Sequence, residues 1–333
     1  MIRRILNKCF LCRKNRAKPL SQLMADLPKA RQQSFKPPFT CTGIDYFGPM
    51  YTKVKRSHVK RWGCIFTCMS SRAIHLELVE GLDASSFINC LRRFLARRPY
   101  PNHIWSDNGS NFCAASKELQ EALQNWNSAA SQELIQKGIQ WHFNPPAASH
   151  QGGVWERLIR SVRQILTSTV GESTLTDFEL MTFLSEAESI VNSRPLTANS
   201  DDPRDFEALT PNHLLLQSSH LNLPPDQFDK DDNYHRQGWR RIQYLANQFW
   251  TRWTREYLTS LQERSKWNTK QRNLAVGDII LLKEDTPRCK WRLGRVTEVF
   301  PGKDGLIRSA RIKTRDSSYV RPITKMCLLE QEQ

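Results

Sequence analysis

Between positions 154 and 166 the chain carries Trp155, Leu158, Ile159, Val162, Ile165 and Leu166, spaced three and four apart. On a helix these residues form one apolar stripe, and such a helix must lie on an apolar surface. Strand-like runs at residues 39–47, 62–69 and 73–79 can supply it. The last alternates, with Ile74, Leu76 and Leu78 on one face. Asp83 is placed to cap a helix over 84–96, and Pro99 and Pro101 stop it. The run His103 to Ser106 then leads into Asp107-Asn108-Gly109. A helix near 116–126, a strand over 139–143, the striped helix and another helix over 177–191 complete the series. That order predicts an α/β domain with helices packed on a mixed sheet.

Beyond it, residues 218–235 are rich in Pro, Asp and Asn and read as a linker. A basic, aromatic helix is predicted over 238–264, its Trp and Tyr side chains mostly as core. Short β-like runs at 278–283, 291–300, 306–314 and 318–320 are separated by turn signals and suit a small β-barrel. No apolar run approaches the ~20 residues needed to cross a bilayer, so no membrane partner is expected. The basic N-terminus lacks the apolar core of a secretory signal. Nine cysteines without a small-domain framework fit reduced thiols and an intracellular compartment.

Charge narrows the class of partner. The chain has 49 Lys and Arg against 33 Asp and Glu, a net +16, which favours a polyanion. From Arg240 onward there are 20 Lys and Arg against 10 Asp and Glu. Basic groups release counterions from phosphates. Arg288, Lys290, Arg292 and Arg295 beside the predicted barrel are therefore candidate DNA contacts, as are Arg160 and Arg163 on the striped helix.

Three acids stand in telling places: Asp45 in the first strand, Asp107 at the end of a later strand, and Glu156 in the first turn of the striped helix. Singly, each has an ordinary explanation. Asp-Asn-Gly is a common turn, and Glu156 four residues before Arg160 would stabilise any helix by ~0.2–0.5 kcal/mol. Together they are the hard-oxygen ligands that two divalent ions need when a phosphodiester is displaced.

The segments Gly43-Ile44-Asp45-Tyr46-Phe47-Gly48-Pro49, Ser106-Asp107-Asn108-Gly109-Ser110-Asn111-Phe112, and Asn144-Pro145-Pro146 through His150-Gln151-Gly152-Gly153-Val154-Trp155-Glu156-Arg157 resemble the retroelement integrases. That family is ribonuclease-H-like with an Asp, Asp, Glu triad. Glu188-Ser189-Ile190-Val191-Asn192-Ser193-Arg194-Pro195, Leu209-Thr210-Pro211-Asn212-His213, Val276-Gly277-Asp278 and Trp291-Arg292-Leu293-Gly294-Arg295-Val296 resemble its Bel-Pao long-terminal-repeat class.

The resemblance implies an α/β fold, a ribonuclease-H-like mixed sheet with flanking helices plus a small SH3-like β-barrel. It implies a catalytic domain at 36–217, a linker and basic helix at 218–270, and the barrel at 271–333. Catalysis and metal binding fall to Asp45, Asp107 and Glu156 with two Mg²⁺ or Mn²⁺ ions, supported by Asn108, Asn111, Phe112 and His150. DNA 3′-end processing and strand transfer in the nucleus are expected, with cytoplasmic assembly, element ends and host DNA as partners, and a homo-oligomer. The alternative is an inactive or host-adopted nucleic-acid-binding derivative. Residues 108–155 between the second and third acids exceed the retroviral spacing, which fits a polar surface insertion near 125–132. Of the family's N-terminal zinc module only Cys9 and Cys12 find a match, within a remnant at 1–35. Two thiolates are half of a tetrahedral site, so Zn²⁺ is not expected and the chain reads as missing its upstream part.

Overall fold

The computed structural model describes residues 28–33, 35–129, 138–144, 153–170, 175–198, 208–217, 228, 232, 238–261 and 272–331. Cys9, Cys12, His150 and most of the expected linker at 218–235 lie outside them, as does the end of the polar stretch at 125–132.

The first sheet begins with a long antiparallel hairpin, β1 (Cys41–Val54) and β2 (Ser57–Cys68), to which β3 (Ile74–Val79) adds on the outer side. Helix α1 (Ala84–Arg97) follows, its Asp83 cap accepting from the Ser86 amide at 2.8 Å. The chain then crosses to β4 (His103–Ser106), which pairs parallel with β1. Helix α2 (Ser110–Ala129) leads to β5 (Gln140–Phe143), parallel with β4. The order β3-β2-β1-β4-β5 is a mixed sheet with both faces covered, which is why its central strands carry apolar residues on both sides. Ile44, Tyr46 and Ile104 pack with Phe87, Phe94 and Phe112 of α1 and α2. Cys41, Phe47 and Ile65 turn the other way, onto α3 (Gly153–Val170) and α4 (Asp177–Asn192). The stripe of α3 is buried as its spacing requires, through Ile159, Val162, Ile165 and Leu166.

After α4 come the short pair β6 (Thr197–Ala198) and β7 (Ala208–Leu209), the single-turn helix α5 (Pro211–Leu216), and α6 (Gly238–Leu261). The segment expected as a barrel follows: β8 (Ile279–Leu282), β9 (Leu293–Pro301), β10 (Ile307–Lys313), β11 (Ser318–Pro322) and β12 (Met326–Glu330), an antiparallel sheet in the order β11-β10-β9-β8-β12. The fold class agrees with the sequence reading as an α/β mixed sheet with flanking helices and a separate antiparallel sheet.

Two features differ from the sequence reading. The basic aromatic helix is core, as predicted, but it packs on the first sheet's helices rather than lying within a connecting region. Ile242, Leu245, Ala246, Phe249, Trp250 and Trp253 of α6 are buried in the same cluster as α3 and α4. Leu258 joins Leu281, Leu293 and Cys327 of the C-terminal sheet. Its apolar stripe was legible, but not the surface it covers. The hairpin is also longer than the strand runs predicted, because pairing continues through Lys53↔His58 to Val54↔Ser57 in a stretch too basic and Pro-interrupted to read as strand.

The outer edge of β3 is closed by side chains. Asn192 of α4 accepts from the Ile74 amide at 2.9 Å and donates to its carbonyl at 2.8 Å. Glu188 accepts from the Leu76 amide at 2.8 Å, and Arg93 donates to the Leu78 carbonyl at 2.7 Å. These groups stand in for a missing strand and remove a pairing edge. Behind them, buried His75 lies 3.1 Å from both Glu77 and Glu188. Burial opposes the imidazolium, but the bonds to Glu188 and Glu77 outweigh it and raise His75 above its ordinary pKa. Burial likewise opposes the Glu77 carboxylate, yet His75 and Arg93 hold it below its usual range.

Because the His75 pKa is raised on folding, its contribution is complete below about pH 6.5, the unfolded value, and fades as pH rises through the folded one. That of Glu77 is complete above about pH 4.3 and fades as pH falls through its lowered value. Thermal melting of the parent chain should therefore drop between pH 6 and 8 more than that of His75→Gln; equal profiles would refute the coupling. Separately, Phe249→Ala should cost about 3–5 kcal/mol in urea unfolding, since α6 belongs to the same core as α3 and α4. A loss below about 1 kcal/mol would mean the helix is peripheral.

Candidate active site

The parallel ladder of β1 and β4 pairs Cys41 with His103, Thr42 with Ile104 and Gly43 with Trp105. Asp45 lies two residues beyond the last β1 member of this ladder and Asp107 two residues beyond its β4 partner, so the two acids follow the same end of neighbouring parallel strands. Alternation puts Asp45 on the face shared by Cys41 and Phe47, the side that α3 covers. Asp107 follows Trp105 on that face, and the Trp105 ring stacks on His142 of β5 at 4.6 Å.

Both carboxylates are held by local backbone. The Tyr46 amide donates to Asp45 Oδ1 at 2.8 Å, and the Gly109 amide donates to Asp107 Oδ1 at 3.0 Å. The loop behind Asp107 is fixed at two points. Asn108 donates from Nδ2 to the Asn144 carbonyl at 2.7 Å, tying it to the end of β5. Phe112, in the first turn of α2, is buried and stacks on Tyr46 at 5.1 Å with Phe87 against its edge at 4.9 Å. One aromatic contact thus locks the residue after Asp45 to the helix after Asp107. Burial pushes the Tyr46 phenol well above its ordinary range, so it stays protonated. Asn111 stands in the same turn, its Oδ1 2.7 Å from where a Cβ on Gly109 would be. The acceptor role of Asn144 was not singled out in the sequence; its place between a strand and Pro145 is the signal that marks it.

Glu156 lies in the first turn of α3, and its side chain, like His150, is outside the described residues. The backbone carries position 156 two turns ahead of Arg163, about 10 Å along the axis and near the same face. Arg163 donates to the Tyr46 carbonyl and places Nη2 3.9 Å from Asp45 Oδ2. Helix α3 is therefore fastened across β1 at the position of Asp45. Among the described residues no group of three His, Cys, Asp or Glu could hold a metal ion.

The expected DNA contacts divide. Arg160 and Lys290 are exposed, and Arg295 is half-buried. Arg163 is committed to β1. Arg292 pairs with Glu284 at 2.5 Å. Arg288 is buried: it donates to Gln243 Oε1 and lies 3.5 Å from Glu186. It clamps the C-terminal sheet to α4 and α6 and faces no duplex; a count of charges could not distinguish it from its exposed neighbours.

Residues 237–329, covering α6 and nearly all of the C-terminal sheet, match a family model described as "Family of unknown function (DUF5641)". No curated protein matches the chain. Among solved structures, the intasome of simian T-cell lymphotropic virus, in complex with PP2A regulatory subunit B56 gamma, has a chain 16% identical. That alignment covers 99% of this chain and 90% of the other at a TM-score of 0.41. The catalytic core domain of BIV integrase is 17% identical, with 54% of this chain and 95% of the other aligned at a TM-score of 0.35. At these scores the overlaps are loose, and the site stands on the contacts above.

A Cβ at Gly109 would lie 3.0 Å from Asp107 Oδ1 and 2.7 Å from Asn111 Oδ1. Gly109→Ala should displace the Asp107 carboxylate and abolish most metal-dependent DNA chemistry while shifting thermal unfolding by less than about 1 kcal/mol. A fully active Gly109→Ala chain would show that this loop does not set the acid's position.

Proposed function

We propose that the chain is a polynucleotidyl transferase of the retroelement integrase kind, of the Bel-Pao class, which trims DNA 3′ ends and joins them to host DNA. The observation that supports this reading is the β1–β4 register, which leads Asp45 and Asp107 out at the same end of neighbouring strands, with Glu156 in the first turn of α3. Strand-borne carboxylates with a helix-borne one are hard oxygen donors that divalent ions take. In this reading Asp45, Asp107 and Glu156 would together hold two Mg²⁺ or Mn²⁺ ions. When bound, such ions neutralise charge on the attacking and leaving oxygens.

The chain's own residues hold that arrangement. Tyr46 and Gly109 amides orient the two described carboxylates, and Asn108 and Phe112 keep the second acid's loop in place. Arg163 pins α3 and balances charge at Asp45. Water, then the freed 3′-hydroxyl, attacks phosphorus as the bond to the leaving oxygen breaks. Of the expected contacts, Lys290, Arg295 and Arg160 have no ion pair among the described residues and would meet DNA phosphates; sequence-independent contacts of this kind make binding salt-sensitive. Element ends and host DNA as partners, self-association and a nuclear site of action belong to the same reading.

Purified chain and an element-end duplex with Mg²⁺ or Mn²⁺ should give joined product that Asp107→Asn loses by at least about 10³-fold, roughly 4 kcal/mol of barrier. Product that survives Asp107→Asn would remove the carboxylate pair from the chemistry. Absence of product even from a chain extended with an N-terminal zinc module would favour the DNA-binding derivative instead.

A further inference from the structure

We propose that the tip of the β1–β2 hairpin is an arm that binds the phosphate backbone of duplex DNA. Lys53, Lys55, Arg56, His58 and Lys60 crowd this tip, and no acid occurs from Met50 to Arg61. All five are exposed, and none has an ion pair among the described residues.

The hairpin is two-sided. Met50 and Thr52 are buried, and the Lys53 amide donates to the Leu175 carbonyl at 2.8 Å. Arg61 makes a two-pronged pair with Asp177 at 3.0 and 2.8 Å. That side is fastened to the protein. The opposite side, toward α1 and α2, shows Tyr51 facing Lys60 and Lys53 facing His58. Tyr51 is 51% exposed. A rigid strip of cations with an aromatic among them is complementary to a polyanionic backbone.

Stability does not account for the strip. Cations crowded at one exposed tip repel one another. The tightest turn, between Val54 and Ser57, holds Lys55 at φ 55°, where Asn or Gly would be at ease. Such cost at an exposed turn fits a residue kept for contact. The arm also projects from the correct end of the sheet, because β1 runs past Asp45 in the direction in which β4 delivers Asp107. Lys53 lies eight residues beyond Asp45, about 25 Å along the strand, within one turn of a duplex whose reacting phosphate sits at the acids.

The arm is read as serving the joining reaction proposed above, and the test separates the two. Binding of the full chain to a generic duplex without an element end is followed by fluorescence anisotropy over a salt series, without divalent ions. Lys53→Ala/Lys55→Ala/Arg56→Ala/Lys60→Ala should bind more weakly and flatten the slope of log affinity against log salt by about 3–4, at ~0.9 per phosphate lost. Lys55→Gly, at ease at φ 55°, should keep the melting temperature from falling yet weaken binding, which a merely structural turn would not do. An unchanged slope in the fourfold variant overturns the arm and leaves the catalytic reading standing. So does a loss seen on phosphatidylserine vesicles and not on DNA.

Discussion

The parallel pairing of β1 with β4 is the contact on which the candidate site depends, and it is short. Three residue pairs carry it, extended by the Asn102 and His103 amides donating to the Thr40 carbonyl at 2.9 and 3.2 Å. Parallel neighbours need a crossover, here β2, β3 and α1. Its helix is ended by Pro99 and Pro101, which feed β4 into register. The Gln140 amide donates to the Asn102 carbonyl, and that of Asn144 to Ser106, so β5 copies the alignment outward. The two carboxylates follow the same end of neighbouring strands only because α1 is buried through Phe87 and Phe94 against the strand that carries Asp45. Loss of that packing would disorganise the acids without touching them.

Charge is distributed by the same architecture. Many described acids are engaged internally: Glu77 and Glu188 at the β3 edge, Asp177 with Arg61, Glu186 with Arg288, and Asp278 with Arg272 at 3.0 Å. Glu284 holds both Arg292 and Arg321. Surface pairs contribute little to stability, but their effect on the field is large, because the acids no longer offset cations elsewhere. The net +16 is therefore expressed at places with no acid nearby in the sequence, such as the hairpin tip.

Much of this was legible in the residues. The alternation of 73–79, the Asp83 cap and the stripe of α3 each obey a local rule, and local rules survive folding. The placement of Asp45 and Asp107 at one end of neighbouring strands was legible only through motif resemblance, since register is a long-range property. The partner of α6 was not legible at all. Phe249, Trp250 and Trp253 announce an apolar face, but the same face would serve a linker helix, a dimer or a nucleic-acid platform. Arg288 was misplaced for the opposite reason: its position in sequence says basic, and only packing against Glu186 and Gln243 makes it internal.

The hairpin shows how one backbone detail governs a surface. Between the pairs Phe47↔Gly63 and Met50↔Arg61, β1 has one residue more than β2. Gly48 takes φ 125° there, and a Cβ would stand 3.3 Å from the Arg61 carbonyl and the Met50 amide, so the bulge requires glycine. Because strand side chains alternate, one extra residue exchanges the two faces beyond it. Without the bulge, Tyr51 and Lys53 would continue the face of Asp45 and Phe47, and Lys53 would turn toward α4. With it, Met50 and Thr52 take the inward places and the cations turn out. Gly48 thus lets a single strand serve a buried core and carboxylate at one end and an exposed cationic strip at the other.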